Sequence, residues 1–380
     1  MTEGNTGFNP SRRDLLKMAA GAGAASLLAG AARRGLAQQA EGAEASVQTR
    51  RIVADTLSVD MHNHLKWPYV KTTVDPGADP EVDVRGEMQR AGLSAICYNY
   101  CVDDYRIAQP GDFYLYHLQS LDYVDRLLKK TGMKRALMLR DLQAAHGRRE
   151  PIIIQTAEGA QFLEGHIERI AEAHGRGLRH LQLLHQMQDL VVPLGDIQNN
   201  DPARFGGLTS FGADVVRECN RVGIVVDLAH AQQSTVMGAL KVARKPLVVS
   251  HTSLATPTGT GATSAALKVR LISTEHARAV ADAGGVIGVW HLFKTTKEYV
   301  AEVKEMAAVV GADHVGLGTD SDMAPSAQQV LLTNRMWPDE KSGFLYSVVG
   351  EMLAQGFRRA DIVKIVGGNY CRVFDRVTRV

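Results

Sequence analysis

Gly223-Ile-Val-Val-Asp-Leu-Ala-His230, followed by Pro246-Leu-Val-Val-Ser-His251, sets the pattern of this chain: an apolar run rich in β-branched residues, closed by a histidine, then repeated. Runs of this length and composition read as strands buried on both faces of a parallel sheet. The same form recurs outward from this pair, in Leu57-Ser-Val-Asp-Met-His-Asn-His64, Ile152-Ile-Ile-Gln-Thr-Ala-Glu158 and His314-Val-Gly-Leu-Gly-Thr-Asp320. His62, His64, Glu158, His230, His251 and Asp320 therefore each close or nearly close a strand. A parallel barrel carries its chemistry at the C-terminal ends of its strands, where these side chains would converge. Imidazole and carboxylate donors suit zinc and similar borderline metals, so the pattern points to a hydrolytic metal centre.

The whole chain yields eight strand-like runs, at 57–62, 93–99, 151–157, 178–184, 223–229, 246–250, 285–291 and 314–319. Amphipathic stretches lie between them, among them Leu118–Lys130, Phe162–Arg176, Ala213–Arg221 and Thr274–Ala283. A last helical region, Ser347–Val380, holds Gly367-Gly-Asn369, a helix-stop signal. Alternating strands and helices predict a parallel α/β fold, and eight pairs predict a closed (β/α)8 TIM barrel. Within 131–150, Met133–Leu139 reads as an extra strand or an edge hairpin. No internal repeat is visible.

The N-terminus reads as a targeting segment. Ser11-Arg-Arg-Asp-Leu-Leu-Lys17 is a twin-arginine pattern, followed by a weakly apolar Ala/Gly-rich stretch from Met18 to Ala32. That stretch is shorter than the about 20 residues a membrane span needs and suits a signal h-region, with Gly35-Leu-Ala37 as a cleavage site. The expected organisation is a signal peptide at 1–37, a linker at 38–50 and one barrel domain at 51–380, exported to the periplasm or secreted. The twin-arginine route carries folded proteins, which suits a chain that takes up metal before export. Removing residues 1–37 leaves 38 basic against 39 acidic residues, a net charge of −1. A near-neutral chain without basic runs predicts no nucleic-acid partner and no polybasic membrane attachment. Four cysteines, Cys97, Cys101, Cys219 and Cys371, lack C-x-x-C spacing and read as buried thiols, with a Cys97–Cys101 disulfide open in an oxidising compartment.

Each candidate site residue has an ordinary reading beside its chemical one. His62 and His64 are two apart, so on a regular strand they share a side, with Asp60 one step deeper to orient a ligand. An H-x-H pair is common by chance; its place at the end of the first strand gives it weight. Glu158 before Gly159 is either a solvated loop residue or a carboxylate between metals. A buried histidine at a strand end is ordinarily a hydrogen-bonded core residue, but His230 and His251 end consecutive strands. Asp320 suits a general base, a ligand or a helix N-cap. His185, closing Leu181–Leu184, suits a donor to a substrate carbonyl or its oxyanion. Trp67-Pro68 and Trp290-His291 fall near the same mouth, as walls of an apolar pocket or as packing.

Together these pieces resemble the renal (membrane) dipeptidase family, a zinc branch of the amidohydrolase barrels, over nearly all of 51–380. The most specific stretches are Ala157-Glu-Gly-Ala-Gln161, Gly177-Leu-Arg-His-Leu-Gln-Leu-Leu-His185, Gly207-Leu-Thr-Ser-Phe-Gly212, Val225–His230, Val249-Ser-His251, Asp313–Asp320 and Gly367-Gly-Asn-Tyr-Cys-Arg372. The resemblance implies a two-zinc site: His62 and residue 64 on one ion, His230 and His251 on the other, and Glu158 bridging them. It further implies that His185 polarises the substrate carbonyl, that Asp320 accepts and delivers the catalytic proton, and that Arg270 holds a dipeptide's terminal carboxylate. A small-molecule substrate and a homodimer follow from the same resemblance.

The chain departs from the family pattern at several points. Residue 64 is histidine where the family has aspartate, which makes the site one unit more positive and opens one-metal occupancy or a different metal. Leu271 follows Arg270 where the family has asparagine, the Gly/Thr/Ala-rich Thr256–Ala266 precedes it, and Met323 stands where a glycine is usual. These changes face the substrate, so the alternative to a dipeptidase is a related barrel acting on a lactone, cyclic imide or other non-peptide amide. A barrel that binds metal or ligand without turnover is the third reading.

Overall fold

The computed structural model describes residues 45–64, 83–102, 109–185, 192–198, 203–255, 265–323 and 332–379. Residues 45–380 cluster as one compact unit. The twin-arginine segment, Trp67-Pro68 and most of Thr256–Ala266 lie outside the described residues. The strands in chain order are β1 (Val59–His64), β2 (Ala95–Cys101), β3 (Lys134–Arg135), β4 (Ile152–Glu158) and β5 (Leu178–Gln182). They continue as β6 (Val225–Asp227), β7 (Val248–Thr252), β8 (Val286–Val289), β9 (Val315–Leu317) and β10 (Ser321–Asp322). Pairing runs β1-β2-β4-β5-β6-β7-β8-β9, all parallel, and Asp60 pairs with Leu317 to bring β9 back to β1. This is a closed eight-stranded barrel, and its strands are the eight apolar runs of the sequence.

The two extra strands are brief. In the 133–139 stretch only Lys134–Arg135 pairs, in parallel, with Ile152 and Ile153 of β4 below the point where β5 begins its own pairing; a helix follows from Leu139. At the other end, the helix Val47–Asp55 takes up residues read as the end of a linker. Ser46 caps it by accepting from the Thr49 N–H, and Ile52 and Val53 are buried.

Alternation along the strands separates two cores. Val59, Met61, Ala95, Cys97, Ile152, Ile154, Val225, Val248 and Val286 fill the barrel together with Tyr370 and Phe374 of the last helix, Asn369–Thr378. Ile96, Tyr98, Tyr100, Ile153 and Ala157 point outward to the helices. On β2 and β4 this parity sends Asn99, Cys101 and Glu158 into the barrel mouth. On β1 it does not extend so simply. Pairing with β2 shifts register between Asp60 and Asn63, which allows Met61 to fill the barrel while His62 and His64 still reach the mouth. Asp60 therefore does not sit behind the histidine pair on a regular face, as alternation alone predicted.

Gly367-Gly-Asn369 does not stop the terminal helix but kinks it. A Cβ on Gly367 would lie 2.1 Å from the Leu57 carbonyl oxygen, so a glycine lets the helical segment approach the lead-in to β1. The Asn369 side chain then donates to the carbonyls of Ala312 and Val315 and ties this helix to β9.

Candidate metal centre

Glu158 is the hub of the barrel mouth. It is buried at the end of β4, and its two oxygens face different partners. Oε2 lies 3.6 Å from His62 Nε2 and 4.0 Å from His64 Nδ1. Oε1 lies 3.6 Å from both His230 Nε2 and His185 Nε2. Asn99 donates to Oε2 at 3.0 Å and Gln182 to Oε1 at 3.2 Å, so each oxygen is also held by an amide.

Two buried aspartates set the loops that carry the imidazoles. Asp227 accepts from the N–H groups of Ala229 and Ser250, joining the ends of β6 and β7 just before His230 and His251. Ser250 Oγ lies 3.0 Å from His251 Nδ1, which turns His251 Nε2 towards His230 Nε2, 2.9 Å away. Asp60 accepts from the N–H and hydroxyl of Thr319, from Asn63 and from the His62 N–H, joining β1 to the loop after β9. Among the described residues, no ring nitrogen hydrogen-bonds to it.

His230 and Asp320 both have positive φ, 67° and 50°. Such non-glycine strain clusters at functional positions. Asp320 is not a helix cap: it sits in the turn between β9 and β10, with its N–H donating to the His62 carbonyl. Its Oδ1 lies 2.7 Å from His64 Nε2 and 3.6 Å from His62 Nε2.

The electrostatics follow from packing a carboxylate pair among imidazoles. For Glu158, burial opposes ionisation, but His185, His62 and His64 outweigh it and hold the carboxyl well below its usual range. Asp320 is likewise pulled down against burial by His251, His64 and His62. Burial, with His62 beside it, lowers His251 to about 4, and burial with neighbouring His251, His185 and Arg270 keeps His230 neutral. His64 goes the other way: burial would lower it, but Asp320, Glu158 and Asp322 lift it to about 10.

The donor set fits a metal. Among the described residues, the donor atoms of His62/His64/Glu158, Glu158/His230/His251, His62/His251/Asp320 and Cys101/Glu158/His185 lie within 4.8 Å of one another in each group. Metal–ligand bonds of about 2.0–2.3 Å put neighbouring donors of a tetrahedron roughly 3.3–3.8 Å apart, close to the separations around Glu158. Neutral His230 and His251 turn nitrogen towards nitrogen, an arrangement that a shared cation relieves.

All the imidazoles and carboxylates expected from the sequence thus meet at one mouth, His185 included. Arg270 is half-buried after β7, and its charge reaches His230. Among the described residues no ion pair or side-chain hydrogen bond engages its guanidinium. Trp290 is packing rather than pocket wall: it is 4 % exposed and stands edge-on to His251 with ring centroids 5.6 Å apart. Cys97 and Cys101 do not approach each other. Four residues apart on one strand they are separated by roughly 13 Å, beyond disulfide reach, and none of the four cysteines is in a disulfide. Cys97 faces His180 deep in the barrel, and Cys101 faces His185 at the mouth. Asn99, Gln182, Cys101, Asp227 and Ser250 were not singled out for these roles from the sequence. The signal for Asn99, Cys101 and Gln182 was their inward parity at strand ends beside Glu158.

A closed parallel barrel whose strand ends bring five histidines and two carboxylates together defines a metal-dependent hydrolase. A family model for membrane dipeptidase, peptidase family M19, matches residues 46–380, and the chain belongs to that family. It is 26% identical to dipeptidase tcpJ of Claviceps purpurea over 352 residues, 86% of this chain and 78% of the relative. Its fold is similar to that of the probable dipeptidase PvdM from Pseudomonas aeruginosa (TM-score 0.71, 16% identity, 87% of this chain and 98% of that one). It is also similar to a metallo peptidase from Rhodobacter sphaeroides liganded with a phosphinate mimic of L-Ala-D-Ala (TM-score 0.62, 16% identity, 85% and 100% covered). A twin-arginine translocation signal matches residues 9–29, which supports export. No helix among the described residues is long and apolar enough to cross a membrane.

Proposed function

We propose that the mature chain, freed of residues 1–37, is a periplasmic single-barrel dipeptidase, homodimeric, that uses two zinc ions to cleave a dipeptide with a free carboxylate. The observation that carries this is Glu158, whose two oxygens face two separate sets of imidazoles. His62 and His64 would hold one ion, His230 and His251 the other, and Glu158 both. When bound, the cations supply Lewis acidity and bring the pKa of the attacking water towards neutrality. Asp320, at the edge of the first set, takes the proton of that water and passes it to the leaving amine. His185 donates from Nε2 to the scissile carbonyl as negative charge develops there. Arg270 grips the terminal carboxylate with two parallel hydrogen bonds. The dipeptide mimic bound by the Rhodobacter relative supports this substrate class.

Arg270→Ala is expected to raise KM for dipeptides by about 10–100-fold, the value of a charge-assisted pair, and to leave C-terminally amidated dipeptides nearly unaffected. Kinetics on the matched substrates check this, and equal losses on both would remove Arg270 from carboxylate recognition.

One specific contact favours a second reading, with a single cation at Glu158, His230 and His251. His64 Nε2 lies 2.7 Å from Asp320, so His64 is engaged by the acid as well as facing Glu158. Elemental analysis of wild type and His64→Asp in parallel separates the readings. Two ions per chain in both supports the two-zinc site; one in wild type and two in His64→Asp supports the single-cation site. In the two-zinc case His64, lifted to about 10 in the metal-free chain, must lose a proton to ligate. Metal binding at pH 8 is then expected to release about one proton from wild type and to tighten up to about tenfold per pH unit as pH rises towards 10. His64→Asp is expected to lack both effects in calorimetry across buffers of different ionisation enthalpy.

A further inference from the structure

We propose that Cys101 is a positioning residue for His185: its thiol holds the imidazole in the tautomer whose Nε2–H faces the reaction centre. This rests on the carbonyl-polarising role given to His185 above. Cys101 ends β2 and pairs in register with Glu158, the last residue of β4. Both Cys101 and His185 are buried. Cys101 Sγ lies 3.2 Å from His185 Nδ1, and Nε2, on the other side of the ring, lies 3.6 Å from Glu158 Oε1. The imidazole thus stands between a thiol and a carboxylate, with a different nitrogen turned to each.

That placement selects one tautomer. A neutral imidazole has one N–H, and the other nitrogen only accepts. An ionised carboxylate offers lone pairs alone, so where no cation stands between them, as one would at His230, it favours the hydrogen on the nitrogen that faces it. Nδ1 is then the acceptor, and the S–H of Cys101 is its donor. A backbone carbonyl behind Nδ1, a frequent arrangement, would hold the hydrogen on Nδ1 and leave Nε2 unable to donate to a carbonyl oxygen. A thiol in that place does the reverse. Cys101, Glu158 and His185 also have donor atoms within 4.8 Å of one another, so a ligand role for Cys101 is the competing reading that the test must separate.

The test compares Cys101→Ala, which removes the donor, with Cys101→Ser, which keeps one, in the metal-loaded enzyme. Cys101→Ala is expected to lower kcat on a dipeptide roughly tenfold, the lower end for loss of an outer partner to a site histidine, with KM and metal content unchanged. Cys101→Ser is expected to restore most of the loss. Long-range proton–nitrogen NMR on the zinc-loaded protein is expected to find Nε2–H on His185 in wild type and Cys101→Ser, and Nδ1–H in Cys101→Ala. An unchanged kcat together with an unchanged tautomer in Cys101→Ala overturns the proposal. So does a sulfur-to-cobalt charge-transfer band in the cobalt-substituted wild type that Cys101→Ala abolishes, since Cys101 would then be a ligand. His185→Ala separates the two readings: if it turns over like wild type, the role of His185 fails, whereas the tautomer measurement still decides the role of Cys101.

Discussion

Asp320→Asn is expected to lower kcat by about 10²–10⁴-fold, the contribution of a positioned proton carrier, while metal content stays at the wild-type value. Asparagine tolerates the left-handed backbone that residue 320 adopts, so the turn after β9 is retained. Its N–H still donates to the His62 carbonyl, and a side-chain oxygen still reaches His64. What is lost is the ability to take a proton. The competing role is legible in the same geometry, because Asp320 also groups with His62 and His251 as a third donor. Elemental analysis beside kinetics decides between them. Loss of an ion together with activity would make Asp320 a ligand; a wild-type rate would remove it from the reaction.

Glu158→Gln is expected to remove at least one ion per chain and to lower kcat/KM by about 10³-fold or more, since several kcal/mol of Lewis-acid stabilisation go with the ion. An amide has one oxygen to offer, whereas Glu158 turns an oxygen to each set of imidazoles. Asn99 and Gln182 both donate to this side chain, and a glutamine can satisfy only one of them. The unmatched amide costs about 1–3 kcal/mol, which a domain of this size tolerates. Circular dichroism is therefore expected to stay native while metal content falls. Full retention of two ions in Glu158→Gln would remove the bridge from the proposed site.

Much of the fold and site was readable along the chain. The runs ending at Glu158 and His251 are continuous apolar stretches because parallel barrel strands are covered on both faces. The donors stand at their C-terminal ends, where the barrel opens, so position along a run already stated position in space. His64 and Asp320 illustrate the boundary. Both were recognisable as site residues, but their 2.7 Å contact joins positions far apart in sequence and depends on Asp60 drawing the β9 loop onto β1. Asn99 and Gln182 escaped notice, and Cys101 was read only as a buried thiol, for a related reason. A polar residue near a strand end acquires a partner only once the neighbouring strand's register is known, and that register comes from pairing.

By itself, the sequence determined the order of eight strands, the end of the barrel that carries chemistry, and the residues available to hold metal there. These depend on local periodicity and on donor chemistry, which are properties of short segments. Tertiary structure alone decided that β1 breaks its alternation so that Met61 packs inside while His62 and His64 reach the mouth. It also decided that Glu158 divides its oxygens between two sets of imidazoles, that Cys101 stands behind His185 rather than beside Cys97, and that Gly367 kinks a helix instead of ending it. Each of these is a relation between strands or helices brought together by barrel closure, where a register shift of one residue exchanges an inward side chain for an outward one.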